Sequence, residues 1–140
     1  MFSWLSRFFS RTDEAVAKLA RVEGHWTGLY YYPSVSLPVP FSLKLSQTGI
    51  RLTGHSQEPN TFGDDHVPML TADWTGELIG ETLELVKTYD GSGGVRHSVT
   101  YHGHLENYGT RIGGRWSIKQ DGGYFSSFFA LEKDLVANDR

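Results

Sequence analysis

The residues of this chain best placed to do chemistry are a lysine and a glutamate standing where an alternating pattern calls for apolar side chains. Lys87 falls between Leu85 and Tyr89, and Glu58 lies on the same row as Leu52, past Gly54 and Ser56. An ammonium enclosed in a fold needs a carboxylate, so each is the other's natural partner. Tyr30, Tyr32, Trp74, Tyr89 and Tyr101 fall on neighbouring rows of the same sense, outlining an amphipathic pocket with one polar contact. The plainer alternative is that both chain ends snorkel to a rim or only pair with each other.

Other motifs point less far. His102 and His104 share one strand face at a spacing that could chelate zinc with a third ligand, but that face reads as outward. The stretch DGSGG at 90–94 opens like a calcium loop and lacks the later bidentate acid. Asp64, Asp65 and His66 would form an acid-base group if their loop closed over a barrel mouth. No nucleophile elbow, phosphate-cradling loop or His-Glu-x-x-His helix is present, so no complete catalytic constellation is visible. The chain reads as non-catalytic, with no cofactor and no metal.

The elements that must position these residues are strands. From Gly24 onward the apolar residues alternate with period two, broken by turn residues every 8 to 12 positions. This predicts eight strands, at 24–32, 40–47, 50–58, 69–78, 82–89, 96–105, 111–118 and 124–133. Four short turns carry Gly49, Gly80, Gly109 and Gly122, residues free to take a positive φ. The inward rows are predicted to be Trp26, Gly28, Tyr30 and Tyr32; Phe41, Leu43 and Leu45; Ile50, Leu52 and Gly54; Leu70, Ala72 and Trp74; Leu83, Leu85, Lys87 and Tyr89; Val99, Tyr101 and Leu105; Ile112, Gly114, Trp116 and Ile118; and Phe125, Phe129 and Leu131. Three longer connections all follow odd-numbered strands and would share one end, the mouth at which small barrels admit ligands. Closing the meander removes two exposed edges, which favours an antiparallel up-and-down β-barrel over an open sheet. Phe128 and Phe129 are adjacent, so one must face outward; Phe128 is expected under the leader or at a subunit contact.

Residues 1–23 read instead as an amphipathic helical leader, with Leu5, Phe8, Thr12, Ala15, Val16 and Leu19 on one face. Ser6, Arg7 and Ser10 interrupt the apolar run that a secretory signal needs, and no stretch of about 20 apolar residues exists to span a membrane. Phe2, Trp4, Leu5, Phe8 and Phe9 beside Arg7 and Arg11 have the composition of an interfacial anchor, so residues 2–21 could meet a membrane surface, a partner protein or the barrel itself. The domain plan is therefore a leader at 1–23, a barrel at 24–135 and a tail at 136–140.

The Gly24-His25-Trp26 motif on the first strand, the eight-strand meander and the later Gly113-Gly114-Arg115-Trp116 together resemble the calycin superfamily of lipocalins and avidins. The resemblance implies that Trp26 lies across the closed end of the barrel and that the open end binds small apolar or amphipathic ligands. The chain departs from lipocalins in its short strands and lack of cysteine, and the biotin-contacting residues of avidins find no counterpart in it.

Composition bounds the rest. The chain has 140 residues, enough for one domain with its own core. Zero cysteines exclude disulfides and thiolate metal sites and fit a reducing, cytoplasmic setting, membrane-peripheral if the leader anchors there. A formal charge of -3 supplies no strongly basic field, which argues against nucleic acid as a partner. The expectation is a lipocalin- or avidin-like barrel binding a small amphipathic ligand through Tyr30, Tyr32, Glu58, Trp74, Lys87, Tyr89 and Tyr101. The alternative is a barrel filled by its own side chains that serves as an interaction module through the leader, with homo-oligomerisation one form of that contact.

Overall fold

A computed structural model of the chain describes residues 20–34, 36–120 and 122–138. Residues 1–19 of the helical leader predicted at 1–23 lie outside them, and its last four residues, 20–23, are coil and not helix. Eight antiparallel strands follow in order: β1 (Gly24–Tyr30), β2 (Val39–Thr48), β3 (Arg51–Pro59), β4 (Met69–Ile79), β5 (Thr82–Tyr89), β6 (Ser98–Glu106), β7 (Arg111–Gln120) and β8 (Gly123–Lys133). Each pairs with its sequence neighbour, and β8 returns to β1, so the meander is a closed barrel. Closure satisfies both edges that an open sheet would leave unpaired.

The local reasons are those legible in the sequence. Strand β2 alternates buried and exposed residues without a break over its ten residues, and β6 does so over nine. The four glycines expected in short turns, Gly49, Gly80, Gly109 and Gly122, hold φ of 63°, 65°, 85° and 70°. At such values a side chain would press on its own backbone, which is why glycine occupies the turn. The long connections after β1, β3 and β5 leave by one end, as the order of the meander requires.

Most strand boundaries shift by one or two residues from expectation, and only 82–89 matches at both ends. Ile50 is 45% exposed, because it belongs to the β2–β3 turn instead of the inward row of β3. Strand β1 ends at Tyr30, although Tyr32 still packs edge-on against Tyr30 at 5.8 Å between ring centres. Strand β6 starts at Ser98 because the glycine-rich stretch before it coils into a single 3-10 turn at Ser92–Gly94. Phe125 stands on the inward row of β8 but at the rim, where it is 46% exposed. Phe128 faces outward as anticipated, half-exposed, with the Arg115 guanidinium 4.4 Å above its ring.

The closed end is built around Trp26, which is fully buried and donates its indole N–H to the Val22 carbonyl at 2.8 Å. Val22 is itself fully buried, and its amide donates to the Gln47 side chain at 2.8 Å. The Gln47 amide nitrogen in turn donates to the carbonyls of Ala20 and Gly49. This chain of bonds gives the amide and carbonyl of the buried Val22, and the carbonyl of Ala20, the partners that buried backbone groups need. No helix among the described residues is long and apolar enough to cross a membrane.

Candidate functional site

The middle of the barrel holds a buried ion pair. Lys87 on β5 and Glu58 on β3 project inward on either side of β4, where Glu58 pairs with Leu70, Lys87 pairs with Trp74, and the small, buried Ala72 lies between those two partners. Their side chains meet at 2.5 Å between Nζ and Oε1, with the lysine 0% and the glutamate 1% exposed. Burying two charges is costly, and the arrangement meets the cost with hydrogen bonds. Tyr30 donates its hydroxyl to Glu58 Oε2 at 2.6 Å, and the Tyr89 hydroxyl lies 3.1 Å from both carboxylate oxygens.

Lys87 gains from its surroundings as well. Its ammonium lies 4.6 Å from the ring centre of Tyr89, 4.9 Å from Tyr30, 5.3 Å from Phe41, 5.6 Å from Trp74 and 5.8 Å from Tyr101. Five aromatic faces around one cation supply quadrupole attraction where water is absent. Burial still lowers the affinity of Lys87 for its proton, with the charge and hydrogen bond of Glu58 acting in opposition. The hydroxyls respond in the other sense. Burial pushes Tyr30, Tyr89 and Tyr101 far above the ordinary tyrosine range, and the Glu58 charge adds to it in each case.

These shifts predict a pH profile. Above about pH 10 an unfolded tyrosine loses its proton, whereas these three keep theirs in the fold. The native state then binds more protons than the unfolded state, so stability falls as pH rises, by roughly 1.4 kcal/mol per pH unit for each hydroxyl. Lys87 acts oppositely below its unfolded pKa of about 10.4, where the unfolded chain binds the extra proton and stability rises with pH. Stability should therefore peak in mildly alkaline solution. In a spectrophotometric titration, three of the seven tyrosines should ionise in one step together with loss of the far-ultraviolet strand signal. Smooth ionisation of all seven in a folded protein would contradict the buried network.

Above this polar layer the barrel is open. A cavity of about 310 Å³ occupies the loop-rich end, walled by Tyr30, Tyr32, Tyr89, Tyr101 and Trp116 and edged by Phe62, His97 and Phe125. Pro33, Val99 and Ile118 complete the lining. Its rings are fixed by one another: Tyr30 and Tyr32 stand edge-on to Trp116, while Tyr101 packs 4.6 Å from Trp74 and 4.8 Å from Phe129. The Trp116 indole N–H is held by the Tyr31 carbonyl at 2.8 Å, and the Trp74 indole by the Ser56 hydroxyl at 2.7 Å. His97 lies 4.9 Å from the Tyr89 ring, and its pKa is lowered first by burial and then by the charge of Lys87.

The seven residues read from the sequence thus fall into two layers. Tyr30, Tyr32, Tyr89 and Tyr101 line the cavity, whereas Glu58, Lys87 and Trp74 lie beneath it and hold its floor. Pattern reasoning did not place Phe62 there, because it sits in a connection where no periodicity assigns a direction, and it passed over His97, which has the parity of Val99 and Tyr101 but lies just before β6. Asp64, Asp65 and His66 are exposed and outside the lining. His102 faces out and meets Glu84 at 2.6 Å, His104 lies 3.4 Å from the Thr82 hydroxyl, and no cluster of three metal-ligating side chains occurs among the described residues.

Comparison of the chain with models of known protein families and with curated proteins finds no match.

Proposed function

We propose that the protein is a non-catalytic binding barrel that takes one small amphipathic or apolar molecule into its open mouth. The observation that carries this reading is the cavity of about 310 Å³ above the tyrosine layer, enclosed by aromatic side chains held in place by their own hydrogen bonds and ring contacts. Ligand pockets are typically apolar, concave and largely pre-formed, with volumes starting near 300 Å³. The Glu58–Lys87 pair supports the same reading: a polar network locked below the floor holds Tyr30 and Tyr89 in fixed positions as walls. The calycin resemblance of Gly24-His25-Trp26 agrees with it, since the Trp26 end is sealed and the opposite end is open. Space of this size weighs against a barrel filled by its own side chains, the alternative raised by the sequence.

Native mass spectrometry of the protein purified from its own host tests the proposal. A stoichiometric adduct that is lost on denaturation is the expected result. As a control, Val99→Trp places an indole in the cavity and should weaken binding of 8-anilinonaphthalene-1-sulfonate about tenfold or more, the equivalent of roughly 1.4 kcal/mol of lost contact. A clean apo mass, together with no dye binding by the unmodified protein, would overturn the reading.

A further inference from the structure

We infer that the cavity selects a flat aromatic molecule carrying one uncharged hydrogen-bond acceptor, such as a ketone oxygen, at its inner end, and that the hydroxyl of Tyr101 is the group that receives it. The inference rests on the binding function proposed above and names the ligand's chemistry.

Three observations converge. The first is an inventory of polar groups. Tyr30, Tyr89 and Lys87 are all committed to Glu58, Trp74 to Ser56 and Trp116 to the Tyr31 carbonyl, while Tyr32 and His97, the other polar side chains of the lining, stand nearer solvent, half-buried and exposed. The Tyr101 hydroxyl has no hydrogen-bond partner among the described residues, although the residue is only 2% exposed. Among the described residues no fully sealed side-chain nitrogen or oxygen lacks a partner, so this hydroxyl must open on space, and the space that Tyr101 lines is the cavity. A native protein rarely leaves such a group unpaired without a use for it.

The second observation is charge. Glu58 and Lys87 neutralise each other below the floor, and among the described residues no carboxylate, lysine or arginine lines the cavity, whose one imidazole, His97, stands exposed at its edge. A group charged at the ligand's inner end would be buried without a counter-ion, which is costly, whereas a charge at the mouth, such as the sulfonate of the dye, stays in water. The third is shape: Tyr30, Tyr32, Tyr101 and Trp116 offer ring faces and edges that suit a planar π-system. A phenol donates more strongly than it accepts, so the matching ligand atom is an acceptor. A ligand without that atom leaves the buried hydroxyl unpaired, a loss of about tenfold or more in affinity.

The test uses three probes of similar size, 2-acetylnaphthalene, 2-ethylnaphthalene and the cation 1-methylquinolinium, titrated into the full chain and into Tyr101→Phe. Binding is read from the NMR shift of the Trp116 indole N–H. The phenylalanine variant keeps the ring that packs on Trp74 and Phe129, and binding of 2-ethylnaphthalene at least as tight as in the unmodified protein reports that its pocket is intact. The ketone is expected to bind the unmodified protein about tenfold more tightly than the hydrocarbon, with the preference abolished in Tyr101→Phe. Equal affinities in the unmodified protein, a preference that survives in the variant, or tightest binding of the cation would each overturn the inference and leave the binding function standing. Binding of 8-anilinonaphthalene-1-sulfonate in the cavity with none of the three probes bound would do the same. Failure of all four compounds to bind would overturn both.

Discussion

Glu58→Gln is expected to destabilise the barrel by about 3–5 kcal/mol at neutral pH, the cost of leaving one buried charge without its partner. The amide is nearly the same size as the carboxylate and still offers an oxygen to the hydroxyls of Tyr30 and Tyr89, which donate to it in the native protein. What it removes is the counter-charge 2.5 Å from Lys87. Burial already lowers the lysine's proton affinity, and Glu58 is the group opposing that effect. In the variant the folded pKa of Lys87 therefore drops further below its unfolded value of about 10.4. Between those two values the unfolded chain binds the additional proton, so stability of the variant rises with pH across that window. The penalty should shrink as the solution is made more alkaline, until the tyrosines take over above about pH 10. Adding Lys87→Met should recover about 2–3 kcal/mol in a double-mutant cycle, because no unpaired charge remains. Urea denaturation at several pH values measures all of this. Strictly additive costs with no pH dependence would show that the pair contributes only through packing.

Gly76→Ala is expected to prevent normal closure of the barrel, with a loss of more than about 3 kcal/mol, a large part of the 5–15 kcal/mol that holds a domain together. A Cβ at Gly76 would stand 1.9 Å from the carbonyl oxygen of Glu84 on the neighbouring strand. The same collision arises at Gly28, 1.8 Å from the Ala130 oxygen, and at Gly114, 2.0 Å from the His102 oxygen. These glycines lie on β1, β4 and β7, and each meets a backbone atom that is part of a strand ladder and cannot rotate away. Glycine in a strand interior marks the close approach that a strongly coiled small barrel needs. The adjacent Gly113 is the control: its added Cβ would meet only the mobile end of Glu106, at 3.3 Å, and Gly113→Ala should stay within about 1 kcal/mol. Thermal melts followed by circular dichroism would separate the two. A Gly76→Ala protein as stable as Gly113→Ala would mean that the strands separate at little cost.

The inference of eight antiparallel strands needed only local information. Period two at residues such as Phe41, Leu43 and Leu45, and a glycine at each of four tight turns, depend on neighbours a few positions away. The same alternation placed Lys87 and Glu58 inside, since a residue's face is fixed once its strand partners are. It misjudged Ile50, which belongs to a turn, it passed over His97 although that residue has the parity of Val99, and it carried no signal for Phe62, whose loop has no period.

Sequence by itself determined the order of strands and the presence of one lysine and one glutamate in an apolar interior, and the resemblance of Gly24-His25-Trp26 implied the sealed end. Tertiary structure decided that the two charges meet, that Tyr30 and Tyr89 join them, and that the pair lies under a cavity whose wall those two tyrosines help to form. The reason is distance. Glu58 and Lys87 are 29 residues apart in the chain and come from strands that are not paired, so their contact depends on barrel curvature and on the small Ala72 between them. The same curvature makes Gly28, Gly76 and Gly114 indispensable and leaves the Tyr101 hydroxyl facing open space, because it sets how closely backbones approach and where side chains fail to fill the interior.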